Sequence, residues 1–355
     1  MIGNPPYIDI RAIDLQSKQL FNLLYPLQKN SFDLYSLFIE RALQILSKGI
    51  LHFIIPKPYL YNSKFAPIRR LVFNYQLIEF FVHTDLVFED ANVETCLLQV
   101  KKNNTRNDFV IKTEASVFNQ SYSTDYLDGK PLIIADDKII NLLTKLNSFP
   151  SLENFSKIIR GLELGKNTLM RVEESENSVK LFAGEAIEKF KKFDNKFFHV
   201  NKKELNDFLK TNEGFEKYPR LLMRRVSQEP IATIFESGEP FINNLNSVYN
   251  ILLNDNCEYS LYFLCGVLNS KVSKFYIQKS FSSEEKLFPY IRIEQLKKIP
   301  IPRYDNSVDI LVKQLIDHFE NRTNNNAIEL EQDINNRVNQ LFNLSFEEIE
   351  LIENS

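Results

Sequence analysis

The octet MIGNPPYI, Met1–Ile8, decides how the rest of the chain is read. In Asn4-Pro5-Pro6-Tyr7 neither proline can donate an amide hydrogen, so the backbone cannot continue a helix or a sheet ladder there. It must leave any preceding strand as a stiff, extended turn flanked by a carboxamide and a phenol. Outward from that turn, helical and strand-like stretches alternate. SFDLYSLFIERALQILSKG predicts an amphipathic helix, with Ser31 as N-cap, Leu34, Leu37, Phe38 and Ile45 on its apolar face, and Gly49 as C-cap. The apolar run ILHFIIP stops at a proline, as a buried parallel strand does. FAPIRRLVFN predicts a shorter helix, and LIEFFVHT and VETCLLQVKK predict two strands. Helix, strand, helix, strand, strand is half of a doubly wound α/β sheet, whose ligand crevice lies outside the carboxyl ends of its strands.

The side chains of the turn suit a flat ring that bears an exocyclic amine, such as adenine. The lone pair of that amine is delocalised into the ring and must be localised before it can attack. The Asn4 side-chain oxygen and the Pro5 carbonyl are two acceptors for the two amine hydrogens, and Tyr7 can stack on the ring face. Read alone, an Asn-Pro pair also fits a plain turn with Tyr7 packed beside it.

GNPPY resembles motif IV of the amino-group DNA methyltransferases, and the downstream order of segments is similar to the TaqI-like N6-adenine branch. DLYSLFIERALQILSKGILHFIIPKPYL resembles that family's helix, glycine and apolar strand ending in proline; APIRRLV resembles its next helix, and VFEDANVETCLLQVKK its motif VIII. KIIRGLELGKN, LFAGEAIEKF, YPRLLMRRV, NSVYNI, LCGVLNSKVSKFYI and FPYIRIEQLKKIPIP keep the order of the TaqI-type C-terminal specificity domain, and INNRVNQLFNLSFEEIELIE resembles the usual finish of these proteins. The resemblance implies an α/β fold: the C-terminal half of a Rossmann-like methyltransferase sheet, then an irregular α+β target recognition domain with C-terminal helices. The segments expected are a partial methyltransferase domain at 1–120, a connecting segment at 121–150, a target recognition domain at 151–305 and a helical segment at 306–355. It also implies Asn4, Pro5, Pro6 and Tyr7 as catalytic residues and Phe88 on the opposite face of a flipped adenine. Arg160, Lys166, Arg224, Arg225, Lys271 and Lys274 are candidates for meeting double-stranded DNA, although each alone also fits a solvated surface charge. Asn269 and Ser270 read as caps or braces.

Composition bounds these expectations. The net charge of −3 is uneven: residues 1–150 hold 16 basic and 15 acidic side chains, 151–300 hold 23 and 20, and 301–355 hold 4 and 11. The acidity sits in the tail, and the mildly basic remainder permits a DNA partner. No apolar run approaches the length of a membrane span, and Cys96, Cys257 and Cys265 read as buried thiols of a cytoplasmic protein. His52, His83, His199 and His318 lack metal-ligand spacing. Glu284-x-Lys286 lacks a convincing upstream Asp partner and reads as a solvated loop rather than a nuclease centre.

The family's methyl donor is S-adenosylmethionine, held by a Gly-rich loop and an acidic residue upstream of NPPY. None of the nine glycines stands in a Gly-x-Gly pair, and three residues precede Asn4. The donor site is expected to be incomplete in this chain, supplied by an upstream segment of a longer polypeptide or by a partner chain. Two other readings remain: a sequence-specific DNA-binding fragment without catalysis, and a glutamine-directed protein methyltransferase, whose family also uses NPPY but needs little sequence after the sheet.

Overall fold

The computed structural model describes all residues except 30–31, 89–92, 104–107, 121–127, 162–177, 193–196, 202–218, 237–242, 245–246, 282–289 and 322–325. The strand ahead of the proline pair is two residues long. This strand, β1 (Ile2–Gly3), runs parallel to β2 (Ile50–Pro56), with Ile2 opposite His52 and Gly3 opposite Phe53. Gly3 allows the close approach, since a Cβ there would meet the Phe53 ring at 2.8 Å.

Strands β3 (Gln76–Val82), β4 (Thr95–Lys101), β5 (Phe109–Lys112) and β6 (Val117–Gln120) extend this to a six-stranded sheet among the described residues, in the order β1-β2-β4-β3-β5-β6. β4 enters between β2 and β3 and is antiparallel to both, whereas β3 and β5 are parallel. The run ILHFIIP is therefore parallel to one neighbour and antiparallel to the other. Helices α1 (Leu15–Leu24), α2 (Leu34–Ile45) and α3 (Ala66–Phe73) accompany the sheet. Ile39 and Leu43 of α2, Val72 of α3 and Leu51, Ile55, Phe80 and Leu98 of the strands share one buried core.

The ends of α2 differ from the expectation. Its N-cap is Asp33, while Ser31 lies outside the described residues. Its C-cap is Leu46; Gly49, with φ of +110°, instead turns the chain into β2. Arg69 of α3 is fully buried, and its guanidinium donates to the carbonyls of Tyr59 at 2.6 Å, Asn62 at 2.9 Å and Gly129 at 2.9 Å. Burial pushes its pKa down to about 10.

The chain divides into two compact units, one built on Met1–Asn141 and the other on Leu142–Ser280 and Phe288–Ser355. It passes from the first to the second through helix α4 (Asp137–Leu146). In the second unit, β7 (Ser156–Arg160) is followed by β8 (Ser178–Phe182), β9 (Ile187–Glu188), β10 (Lys191–Lys192) and β11 (Phe197–Asn201). Then come β12 (Arg220–Arg224), β13 (Ala232–Phe235), β14 (Asn243–Asn244) and β15 (Val248–Leu253). Its main sheet is antiparallel, in the order β13-β12-β15-β7. Helices α5 (Leu261–Asn269), α6 (Lys271–Ser280) and α7 (Ile293–Lys297) lead to the C-terminal helices α8 (Asn306–Asn321), α9 (Ala327–Leu341) and α10 (Phe346–Glu353). The Asn269 carboxamide pairs with the Ala232 backbone in both directions at 2.8 Å, bracing α5 on β13. Cys96 and Cys265 are buried, but Cys257 is only half-buried. Among the described residues no helix is long and apolar enough to cross a membrane.

One buried carboxyl gives the first unit a pH signature. Glu40 of α2 is 5% exposed, accepts a hydrogen bond from the Gln28 amide at 2.6 Å, and has its pKa raised above 4.5 by desolvation. A raised carboxyl pKa means that the folded state binds more protons than the unfolded one, so stability falls as pH rises from about 4.5 through the folded value. Replacing Glu40→Gln should flatten that slope and leave the variant more stable than the parent at neutral pH, as read from urea midpoints between pH 4 and 8.

Candidate functional site

The turn is built by the end of β1. On the side of β2 that faces β1, the Ile50 carbonyl accepts from the Met1 amino group at 2.7 Å and the His52 amide donates to the Met1 carbonyl at 2.8 Å. Two residues on, the Ile54 carbonyl faces the same way. There β1 has given way to the prolines, and the Tyr7 hydroxyl donates to Ile54 at 3.1 Å. Burial pushes the Tyr7 phenol up to about 12, with Cys96 adding to the shift. Its ring stands edge-on to Tyr35, 6.3 Å between centroids.

The chain leaving the turn is tied down as well. Ile8 accepts from the Leu34 amide at 2.8 Å, and the Ile10 amide reaches the Asp33 carboxylate at 3.3 Å. Lys64 binds the same carboxylate at 2.8 Å. Within the turn Asn4 is exposed, Pro5 buried, and Pro6 and Tyr7 half-buried. The carboxamide is thus presented to solvent from a backbone held at both ends.

Phe88 arrives from far along the sequence. Its ring lies 6.4 Å from that of Tyr7 with an interplanar angle of 67°, an edge-to-face contact. A planar group stacked between two parallel rings needs roughly 7 Å, twice an optimal carbon contact. The loop that carries Phe88 is fastened on both sides. Ahead of it, the Thr84 amide donates to the Glu114 carboxylate at 2.9 Å; after it, Lys57 and Glu94 form a buried ion pair at 2.7 Å, backed by a backbone bond between the same residues at 2.9 Å.

In the second unit the structure gathers some of the candidate basic residues and disperses others. Arg160 and Tyr249 face each other across β7 and β15, and Tyr249 opposes Met223 across β15 and β12. Burial raises the Tyr249 phenol pKa, and the positive charges of Arg225 and Arg160 act against that rise. Arg224 points to the other face, beside Gly184, with its Nε donating to the Val226 carbonyl at 3.0 Å. Lys271 pairs with Glu353 of α10, and Lys274 is half-buried on α6. Lys166 and the Glu284-x-Lys286 stretch lie outside the described residues. Two residues that no sequence motif singles out join Arg225: its guanidinium carbon lies 5.2 Å from the Tyr290 ring centroid, and that of Arg292 lies 5.7 Å from it. A Tyr two residues before an Arg, in the proline-led stretch FPYIR, is the signal that the sequence offers. Among the described residues no cluster of His, Cys, Asp and Glu could hold a metal ion.

The Lys57–Glu94 pair should be costly to break and cheap to replace. Its side chains are 9% and 12% exposed, so Lys57→Met leaves a buried, unpaired carboxylate and should lower stability by about 3–5 kcal/mol. The double variant Lys57→Met with Glu94→Leu should recover most of that loss in guanidinium unfolding.

Comparison with known proteins matches two stretches of the chain. Residues 1–88 match the family of the Eco57I restriction-modification methylase, and residues 179–301 match the TaqI-like C-terminal specificity domain. The type II restriction enzyme and methyltransferase RM.Eco57I of Escherichia coli is 27% identical over 239 residues, covering 60% of this chain and 23% of the relative. Among solved structures, the type IIL restriction-modification enzyme MmeI in complex with DNA aligns with 100% of this chain and 57% of its own, at a TM-score of 0.64 and 11% identity. A nuclease-deletion mutant of the type ISP enzyme LlaGI, in complex with a DNA substrate mimic, aligns with 89% of this chain and 41% of its own, at a TM-score of 0.52 and 13% identity. These structural likenesses establish the fold. The chain spans less than a quarter of the curated relative and little more than half of the MmeI chain. A methylase segment followed in order by a specificity domain, with the relative from Escherichia coli, makes this chain a relative of the TaqI-like restriction-modification methyltransferases.

Proposed function

We propose that the chain supplies the adenine pocket and the DNA specificity domain of a restriction-modification methyltransferase that transfers a methyl group to adenine N6. The observation that carries this reading is the convergence of Phe88 on a Tyr7 anchored at the end of β1, beside an exposed Asn4. Asn4 and the Pro5 carbonyl accept the two amine hydrogens of a flipped adenine, which draws the nitrogen toward a tetrahedral shape with its lone pair directed outward. Pro5 and Pro6 fix the direction of that carbonyl. Tyr7, held by Ile54 and Tyr35, is the fixed wall; Phe88 turns out of its edge contact and closes on the other face of the base.

The family's methyl donor is S-adenosylmethionine, and among the described residues none forms a cradle for it. No glycine of the chain stands in a Gly-x-Gly pair, and the left-handed glycines Gly49 and Gly129 belong to the turn into β2 and to the loop bound by Arg69. We assign the donor to an upstream segment or a partner chain. The same observation favours a second reading, a specificity element that binds double-stranded DNA without catalysis.

Incubated with a random-sequence duplex library in modest salt, the purified chain should retain one short adenine-containing site. Tyr7→Ala and Phe88→Ala should each weaken binding to that site roughly 5-fold to 100-fold when its adenine is left unpaired, the worth of one stacked base, about 1–3 kcal/mol. Enrichment with no effect of either variant would favour the binding-only element; no enrichment by the folded chain would sink both readings.

A further inference from the structure

We propose that Leu86 and Val87 form an apolar wedge that fills the space left in a duplex when the target adenine leaves the stack, an inference that rests on the adenine-pocket reading above. Strand polarity sets the mount of the wedge. β1 is parallel to β2, β2 and β3 are both antiparallel to β4, and β3 is parallel to β5, so β1, β2, β3 and β5 end at one edge of the sheet. The NPPY turn follows β1, Lys57 follows β2, segment 83–88 follows β3 and turn 113–116 follows β5. In that last turn the Thr113 amide donates to the Ser116 carbonyl at 2.8 Å, and the Thr113 hydroxyl accepts from the amides of Ser116 at 3.1 Å and Ala115 at 3.3 Å. The turn presents Glu114, whose two carboxylate oxygens engage the Thr84 amide at 2.9 Å and the His83 ring at 3.2 Å. The His83 amide donates to the Thr95 carbonyl at 3.2 Å. These bonds hold the chain as it leaves β3, and the buried Lys57–Glu94 pair holds it as it enters β4.

Between these two ends stand Leu86 and Val87, each 44% exposed. Exposed apolar side chains scattered singly are ordinary on a protein surface. Two in succession are less so on a segment bound at both sides, whose bonds keep it from turning them inward. They directly precede Phe88, the mobile wall of the pocket, which places their Cα atoms within roughly 7 Å of its own. The chemistry of the segment then selects what can cover them. Residues 83–88 include no lysine or arginine, and Asp85 is exposed, so the segment offers phosphates repulsion rather than a counter-charge. What remains is contact with base faces. A base that moves into a pocket leaves a gap bounded by its stacked neighbours and its orphaned partner, and leucine and similar apolar side chains inserted between base steps hold a duplex in such a distorted state. The gap and the pocket are two ends of one movement, and one short segment serves both: Phe88 meets the base that has left, and Leu86 and Val87 occupy the place it left.

The test measures binding of the full chain to three DNA probes carrying the site that the parent selects: a duplex with the target adenine paired, the same duplex with an abasic spacer in place of that nucleotide, and the target strand alone. The abasic duplex has the gap but no base for the pocket; the single strand has the base but no gap. Each variant is first matched to the parent in melting. Leu86→Ala combined with Val87→Ala should weaken binding to both duplexes roughly fivefold to fiftyfold, with an unchanged salt slope, and bind the single strand as the parent does. Leu86→Met combined with Val87→Ile should bind all three like the parent. Tyr7→Ala and Phe88→Ala should each spare the abasic duplex and weaken the single strand. An alanine pair that binds the abasic duplex as tightly as the parent would overturn the wedge and leave Leu86 and Val87 to a protein partner, while the pocket reading stands on the Phe88→Ala result. Equal loss by the alanine pair on all three probes would also overturn it. Single-strand binding untouched by Tyr7→Ala and Phe88→Ala, or a parent that selects no site, would remove the pocket reading and the wedge with it.

Discussion

Everything in the first unit that concerns the turn depends on the Ile54 carbonyl. β2 exposes a row of backbone groups toward β1, and the first two are met by Met1. The proline pair then removes the amides that would continue the ladder, and a buried carbonyl without a donor costs about 1–3 kcal/mol. The Tyr7 phenol takes that place. One hydrogen bond thus satisfies the sheet, fixes the ring and sets the height at which the preceding carboxamide leaves the backbone.

The second unit uses the same device on a different scaffold. There an antiparallel sheet delivers a tyrosine hydroxyl, that of Tyr249, to a backbone carbonyl in a segment without regular structure. The segment gains a defined direction without a ladder of its own. In both units a phenol-to-carbonyl bond ties a strand to a segment that has no ladder there. Precision in the exposed groups comes from buried partners, since a loop tied only at its ends would let a side chain drift by more than the tolerance of a hydrogen-bonded site.

How much of this is legible in the sequence depends on the range of the interactions. α2, β2, α3, β3 and β4 are legible because their signals are local: apolar periodicity, a terminating proline, a charged flank. α1 is not, because Leu15, Leu20, Leu23 and Leu24 are all exposed and supply no core-facing pattern. The α2 caps fall elsewhere than Ser31 and Gly49 because an extended Asp33, whose carboxylate is engaged by Lys64 and Ile10, already opens the helix. The position of β4 between β2 and β3 is a matter of pairing, which no local pattern encodes. The extended, proline-led turn is legible; the resemblance implies Phe88 on the face of an adenine opposite Tyr7, and the structure has the two rings edge to face. The Lys57–Glu94 pair and the Arg225–Tyr290–Arg292 group are not legible, since each joins residues distant in the chain whose types are common on any surface.

The asymmetry between the two rings of the proposed pocket has an energetic basis. Tyr7 is held by a hydrogen bond and by Tyr35, whereas Phe88 has no polar atom and touches Tyr7 by its edge. An aromatic edge contact is worth about 0.5–1.5 kcal/mol beyond burial, and a base stacked on an aromatic ring is worth about 1–3 kcal/mol. In the proposed pocket a base entering between them exchanges one edge contact for two stacked faces, which offsets part of the few kcal/mol, roughly, that flipping it out of the stack costs. In the proposed pocket the ring that must move is therefore Phe88, the one the fold leaves without a polar anchor.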